Sequence, residues 1–184
     1  MTIKEELAEE PEPPRSSSRP GGVDMFIEIE DAGWAEAVRS PERLIERAVF
    51  AALQGQLEGE AELSVILTND ARIRELNAHY RDKDKATNVL SFPVDQQMPE
   101  GPEVLGDVVI ALETVLAEAE EQGKLVPDHL SHLVVHGVLH LLGFDHIDAA
   151  EAEEMEALER QILQTLSIAD PYADTVLDAG GQAA

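Results

Sequence analysis

The chain has 184 residues, of which 43% are hydrophobic and none is cysteine. This length and apolar content are sufficient for one compact core without disulfide bonds. The lack of cysteine excludes disulfides and thiolate metal sites, which leaves histidine and carboxylate side chains as metal ligands. The formal net charge of −25 disfavours a protein whose whole surface binds nucleic-acid phosphates. Because the sequence contains neither a membrane-length apolar run nor a signal-peptide pattern, we expect a soluble cytoplasmic protein.

The charge is distributed unevenly along the chain. Of the thirteen lysine and arginine residues, five lie between residues 72 and 85, namely Arg72, Arg74, Arg81, Lys83 and Lys85. One local basic surface can therefore exist in an acidic protein. Much of the negative charge belongs to the termini and to a C-terminal helix, where we predict a solvated face formed by Glu151, Glu153, Glu154, Glu156 and Glu159.

The first part of the chain predicts an extension, two strands and a helix. Residues 1–23 are acidic and rich in proline and serine, and we predict that they are disordered. Met25–Glu30 carries alternating apolar and acidic side chains, which is typical of an edge strand with one solvated face. A helix begins at Ser40-Pro41 and ends near Gly55. Leu63–Leu67 predicts the next strand.

The middle of the chain predicts a helix and two further strands. Asn69 or Asp70 can cap a helix whose apolar residues recur at helical spacing. Val89–Phe92 and Val108–Leu112 have the composition of strands, and the connection over residues 93–106 contains proline and glycine. These two strands can therefore be neighbours in an antiparallel pair.

Three helices are predicted to close the fold, over residues 114–122, 127–142 and 149–166. Residues 168–184 are small and acidic, and we predict a flexible C-terminal tail. The order of elements is β-α-β-α-β-β-α-α-α, which favours an α+β fold with a mixed four-stranded sheet and about five helices. We expect a single catalytic domain over residues 24–167.

The segment His136–His146 carries the strongest functional signal. His136 and His140 are four residues apart, so both imidazoles project from one face of a helix. Gly143 can end that helix in a left-handed conformation and return the chain, which would bring His146 to the same point. Three neutral imidazoles leave the fourth tetrahedral position of a zinc ion open for water, which is typical of a catalytic site.

Gly137 limits the reaction that such a site can perform. Zinc peptidases of the zincin type have the pattern His-Glu-x-x-His-x-x-Gly-x-x-His, in which the glutamate is the general base. Here glycine occupies that position, so the metal-binding half of the pattern is present without its proton acceptor. Peptide hydrolysis by the usual route is therefore disfavoured.

Three further residues near the motif have less certain roles. His129 lies too far along the helix to share an ion with His140. His132, one turn before His136, can bind a substrate phosphate, orient a ligand, or simply be a partly buried histidine. Asp145 can accept a hydrogen bond from a ligating imidazole or stabilise the turn.

Arg81 is a candidate for binding a phosphate. It lies in the polar part of Asn77–Pro93, between a predicted helix and a predicted strand, where rigid elements can support an active-site loop. A guanidinium stays charged and contacts phosphate through two planar hydrogen bonds, so Arg81 can stabilise negative charge that develops there. The alternative is a surface ion pair with Asp82 or Asp84.

These motifs resemble the YbeY family of bacterial endoribonucleases. The matching stretches are Asn77–Pro93, Leu105–Ile110 and His132–Leu158, within a core that extends from about residue 25 to 172. The histidine motif with its glycines is highly specific, and the Tyr80-Arg-x-Lys-Asp stretch supports it independently. The sequence departs from the family at Ala86, where the family often has proline, and in its acidic termini.

The resemblance implies that His136, His140 and His146 bind one zinc ion and that Arg81 is the functional arginine. It also implies cleavage of single-stranded RNA, maturation of the 3′ end of small-subunit (16S) rRNA, ribosome quality control, and association with the ribosome or small-subunit proteins. Arg72, Arg74, Lys83 and Lys85 are then candidates for RNA contact. Zinc-bound water or the RNA 2′-hydroxyl is the nucleophile, and the general base is unassigned.

Two other functions stay open at this point. One is a zinc-containing ribosome-assembly factor with little cleavage activity of its own, which the absence of a base at Gly137 favours. The other is a zinc hydrolase that acts on a small molecule or a peptide, which Gly137 and Arg81 both disfavour.

Overall fold

The computed structural model describes residues 22–95 and 99–173, so nearly all of the predicted N-terminal extension and the tail from residue 174 lie outside the described residues. The strands are β1 (Val23–Ile29), β2 (Ala61–Thr68), β3 (Val89–Pro93) and β4 (Glu103–Ala111). The helices are α1 (Gly33–Ala37), α2 (Pro41–Leu53), α3 (Asp70–Arg81), α4 (Leu112–Glu121), α5 (Val126–Leu141) and α6 (Ala149–Thr165). This arrangement confirms the predicted α+β fold.

The sheet is mixed and has the strand order β1-β2-β4-β3. β1 and β2 pair in parallel, as do β2 and β4. β3 and β4 pair antiparallel, with Ser91 opposite Val108, in agreement with the sequence pattern. β1 is an edge strand, as predicted, and Phe26 on it is 56% exposed. The other edge of the sheet is β3.

Several boundaries differ from the sequence-based prediction, among them the starts of β4 and α4. β4 begins at Glu103, several residues before the predicted start at Val108, because its first half pairs with β2 even though Gly106 lowers strand propensity. α4 begins at Leu112 rather than at residue 114, directly after β4 and without a side-chain cap. Strand pairing therefore overrides the local signal at β4, and Leu112 at the start of α4 is buried.

Helix α1 was not predicted and brings the number of helices in the described ranges to six. It has five residues, which is too short for a helical pattern of apolar positions. Trp34 on this helix is fully buried, and its Nε1 donates a hydrogen bond to the Thr68 carbonyl oxygen at 2.9 Å. This tertiary contact, rather than helix propensity, accounts for the short helix α1.

Helix α5 occupies the centre of the fold, in contact with α2, α4, α6, β3 and β4. Apolar side chains cover most of its circumference, and Leu130, Val134, Val138 and Leu139 are among those with no exposed surface. A helix that is apolar nearly all round is stable only when it is enclosed. On the other face of the sheet, α3 contributes Ile73 to a smaller core with Leu90 and Val109.

The C-terminal segment after α6 continues against the core. Ile168 packs against the main cluster, and the Lys124 ammonium donates a hydrogen bond to the Pro171 carbonyl oxygen at 3.1 Å. Residues 168–173, the first part of the predicted tail, are therefore in contact with the domain in the structure. Within the described ranges, no helix combines the length and apolar content that a membrane span requires.

Gly106 allows β3 and β4 to approach each other beside a β-bulge. The register between β2 and β4 shifts at Glu62/Leu63, where Val104 and Gly106 are the partners and Leu105 is the additional residue. Gly106 has a φ of +126°, and a Cβ atom there would lie 2.1 Å from the Phe92 carbonyl oxygen. Only glycine satisfies both conditions.

We predict that Gly106→Ala lowers the free energy of unfolding by at least about 1–3 kcal/mol, because it adds a backbone clash to an unfavourable φ. Chemical denaturation measures this change. Gly101→Ala is the matched control, since Gly101 has a φ of +113° but no atom of the described residues lies within 4 Å of an added Cβ. Equal destabilisation by the two substitutions would contradict the role assigned to the close approach of Phe92.

Candidate metal centre

Helix α5 and the turn that follows it carry the three histidines of the motif. Pro127 lies in the first turn of the helix, where its missing N–H costs nothing. At the other end, the Gly143 N–H bonds to the His140 carbonyl at 3.0 Å and the Phe144 N–H bonds to the Leu139 carbonyl at 3.0 Å. With a φ of +93° at Gly143, this is a Schellman motif. It turns the chain back toward the helix, as the sequence predicted.

The turn brings His146 beside His136 and His140. One ring nitrogen from each of the three side chains lies within 4.8 Å of the others. The Nε2 atoms of His136 and His140 are 3.1 Å apart, close to the separation of about 3.3 Å expected for two nitrogens bound tetrahedrally at 2.0–2.1 Å. The histidines are partly buried or exposed, so the group is accessible. Its geometry and its all-nitrogen donor set fit one metal ion.

Burial lowers the pKa of His140, and the neighbouring imidazoles of His136 and His146 lower it further. Each of these effects disfavours the protonated ring. The neutral ring keeps a lone pair on one nitrogen, which is the form that binds a metal ion.

Gly137 is explained by packing between α5 and the sheet. A Cβ atom at this position would lie 2.6 Å from Cγ1 of Val108 and 3.3 Å from the Ser91 hydroxyl oxygen. The position therefore points at β3 and β4 and has no room for a side chain. A glutamate in the place where zinc peptidases have their general base would not fit without moving the helix.

Arg81 is linked to α5 through β3. Its Nη2 donates to the Ser91 carbonyl oxygen at 3.3 Å, and the Ser91 hydroxyl donates to the Gly137 carbonyl oxygen at 3.1 Å. The carboxylate of Asp84, one of the two expected ion-pair partners, is engaged by Arg74 instead. Arg81 is exposed at the end of α3, on the side of the edge strand β3.

The other residues that the sequence singled out lie around the histidine group. His132 Nε2 is 3.4 Å from a Glu159 oxygen, and its side chain is mostly buried. The His129 ring contacts Glu118 at 2.7 Å and is not among the three converging histidines. Asp145 accepts a hydrogen bond from the backbone N–H of His146 at 2.7 Å, which stabilises the turn.

The four basic residues proposed for RNA contact differ in their surroundings. Arg72 pairs with Glu75 at 3.1 Å, and Arg74 makes two hydrogen bonds to Asp84. Lys83 and Lys85 are exposed in the loop after α3. The buried Asn77 holds this loop, because its carbonyl accepts from the Lys83 N–H and its side chain donates to the Lys85 carbonyl.

Two residues that contact the site were not recognised from the sequence. Glu159 was assigned to the solvated face of α6, yet it is fully buried and its Oε1 is 2.6 Å from His136 Nδ1. Its position four residues after Met155 and three before Ile162, both in the core, places it on the apolar stripe, and that spacing was the available signal. Tyr172, in the predicted tail, contacts Glu159.

A cavity of about 620 Å³ adjoins the centre. It is lined by His132 and His136, by Asn88 and Val89 at the start of β3, and by Tyr172. This volume falls within the range of small-ligand sites. The cavity therefore provides space beside the histidine group for part of a substrate.

The chain is similar to proteins of known family. The sequence model of the family described as Endoribonuclease YbeY matches residues 28–167. A relative from Azorhizobium caulinodans, named Endoribonuclease YbeY, is 54% identical over 155 residues, which cover 82% of this chain and 97% of the relative. One of the same name from Paramagnetospirillum magneticum is 47% identical over 160 residues, covering 83% and 97%.

A solution structure of a protein from Thermotoga maritima has a similar fold, with a TM-score of 0.52 and 22% identity over 86% of this chain and 96% of that one. The fold and the histidine group together define an α+β protein with a candidate three-histidine metal centre. The extent of the sequence match identifies it further: the chain belongs to the endoribonuclease YbeY family.

We predict that Gly137→Ala lowers the free energy of unfolding by about 1–3 kcal/mol, because the added methyl group overlaps Val108. Adding Val108→Ala should relieve part of this cost, so the double variant is less destabilised than the sum of the single variants. Denaturant unfolding of the four proteins measures the coupling. Strict additivity would argue against a close contact between α5 and β4 at this point.

Proposed function

We propose that the protein is a zinc-dependent endoribonuclease that cleaves single-stranded RNA, with zinc bound by His136, His140 and His146. The observation that supports this proposal most is the convergence of these three imidazoles in a chain of the endoribonuclease YbeY family. Imidazole donors in a tetrahedral arrangement suit zinc, and three protein ligands leave one position open. When bound, zinc would supply Lewis acidity to water and to the scissile phosphate.

Arg81 binds the scissile phosphate and stabilises the charge that develops on it. The support for this role is its exposure beside β3 and its connection to α5 through Ser91 and Gly137. A planar guanidinium held by a rigid strand loses little freedom when phosphate binds. The remaining polar groups have supporting roles: Asp145 maintains the turn that carries His146, and His132 contacts Glu159.

The substrate that we propose is ribosomal RNA, cut during maturation of the 3′ end of small-subunit rRNA and during ribosome quality control. Lys83 and Lys85 contact its phosphates, while Arg72 and Arg74 are partly neutralised by Glu75 and Asp84. Such a substrate places the protein at the ribosome, in contact with small-subunit proteins, in the cytoplasm. The domain over residues 24–167 carries this activity.

The assembly-factor alternative loses its main argument in the structure. That argument was the absence of a general base at position 137. The packing of Gly137 against Val108 and Ser91 accounts for the glycine without reference to catalysis. The same contact leaves no space for the glutamate of a zinc peptidase. Neither observation disfavours phosphodiester cleavage, for which the charge-stabilising group is Arg81.

We predict that purified wild-type protein cuts a labelled single-stranded RNA at fixed salt, and that Arg81→Ala lowers kcat/KM by about 10²- to 10³-fold because one charge-stabilising donor is lost. His140→Ala should lose both metal and cleavage. Arg43→Ala, an exposed arginine on α2, is the control and should cut normally. Metal content and the unfolding curve are determined for each variant.

The outcomes of this experiment separate the two functions. A zinc-loaded wild type that does not cut RNA would favour the assembly factor. Equal cutting by all four proteins would also favour it, because the activity would then come from a contaminating nuclease. A 2′-deoxy residue at the cut site that leaves cleavage intact would exclude the RNA 2′-hydroxyl as nucleophile.

We also predict that the loop after α3, which carries Lys83 and Lys85, contributes to RNA binding through its charge alone. Lys83→Ala and Lys85→Ala should each weaken RNA binding similarly for different sequences and reduce the slope of log K against log salt by about 0.7. Arg72→Ala should change the slope less, because its guanidinium already pairs with Glu75. Binding is measured with metal-stripped protein so that the RNA stays intact, and unchanged slopes for both lysine variants would refute the contact.

A further inference from the structure

Glu159 is a buried carboxylate in direct contact with a histidine of the candidate metal centre. It has no exposed surface, and its Oε1 lies 2.6 Å from Nδ1 of His136. Oε2 of the same carboxylate lies 3.4 Å from Nε2 of His132. A buried carboxylate that remains charged requires such partners.

The contact with Glu159 determines which nitrogen of His136 is available to a metal ion. The two ring nitrogens face different groups: Nδ1 faces Glu159 Oε1, and Nε2 is 3.1 Å from Nε2 of His140. A charged carboxylate accepts a hydrogen bond, which favours the tautomer with its proton on Nδ1. The lone pair then lies on Nε2, toward His140.

Tyr172 completes the surroundings of Glu159. Its hydroxyl donates to Glu159 Oε2, the oxygen that does not contact His136. The tyrosine ring is held from outside by Arg160, whose guanidinium carbon lies 5.1 Å from the ring centre and whose Nε is 3.4 Å from Asp170. The segment after α6 therefore contacts the carboxylate through its second oxygen.

A second metal ion does not explain this cluster. His132, His136 and Glu159 also bring one donor atom each within 4.8 Å of one another. However, the 2.6 Å between His136 Nδ1 and Glu159 Oε1 is too short for an ion between them, because bonds of about 2 Å on each side separate two ligands by about 3 Å or more. This distance is that of a charge-assisted hydrogen bond.

We propose that Glu159 and Tyr172 are positioning residues of the metal centre, in which the hydroxyl of Tyr172 holds the carboxylate of Glu159 and this carboxylate orients His136. Carboxylates that orient ligating imidazoles raise the metal affinity of a site. The inference rests on the metal-binding part of the proposed function and adds that the C-terminal segment up to residue 172 belongs to the functional unit.

The test measures metal affinity instead of activity. Zn²⁺ and Co²⁺ affinities of the full chain are determined by chelator competition, and the absorption spectrum of bound Co²⁺ reports the geometry of its ligands. We expect Glu159→Gln to weaken binding by about 10- to 100-fold and to alter the Co²⁺ spectrum. Tyr172→Phe removes one hydrogen bond and should weaken binding about fivefold. Glu153→Gln, which removes an exposed charge from the same helix, is the matched control and should bind normally.

The double variant shows whether Tyr172 affects metal binding through Glu159 or independently of it. If Tyr172 acts through Glu159, adding Tyr172→Phe to Glu159→Gln should change the affinity by less than twofold. Unfolding of the metal-free proteins identifies any variant that fails to fold. Lower stability with unchanged metal affinity and an unchanged Co²⁺ spectrum would reduce both residues to structural roles and overturn the proposal.

Failure of this inference can be separated from failure of the proposed function. A wild type that binds no metal would refute both. A wild type that binds metal but cuts no RNA would contradict the nuclease, while the affinities of the variants would still decide the roles of Glu159 and Tyr172.

Discussion

The enclosure of helix α5 is the constraint on which the rest of the structure depends. The helix must bury apolar side chains on nearly every side, and the sheet, α2 and α6 provide the surfaces that cover it. Its contact with the sheet is so close at Gly137 that no side chain fits between the helix and Val108. Because the helix cannot rotate or slide without losing this packing, His136 and His140 project in fixed directions.

The same packing relates the phosphate-binding candidate to the metal-binding candidates. The Ser91 hydroxyl contacts the carbonyl of Gly137, and the Ser91 carbonyl receives Arg81. Arg81 ends a different helix and is far from the histidines in sequence, yet it contacts β3, the strand that packs against α5. A site assembled on rigid elements in this way pays little reorganisation when substrate binds. Glu159 on α6 contacts His136, and Tyr172 in the segment after α6 contacts Glu159.

The local distribution of charge in this protein differs from its net charge. The chain as a whole is strongly acidic, but the loop after α3 exposes Lys83 and Lys85, and Asn77 fixes its backbone from beneath. Screening by salt limits the influence of distant acidic groups on such a loop. One acidic residue, Glu159, belongs to the interior, which shows that a run of glutamates on a helix need not be solvated throughout.

The sequence by itself determined the elements with strong periodicity and the three histidines, because these depend on spacing within one segment. The mixed sheet was predicted from the order of the elements. Helix repeat and the left-handed Gly143 bring His136, His140 and His146 together with little help from the rest of the chain. Tertiary structure alone decided the early start of β4, the short helix α1, the close packing at Gly137, and the contacts of Glu159 and Tyr172. Each depends on groups distant in sequence, and a buried carboxylate looks like a solvated one until its partners are known.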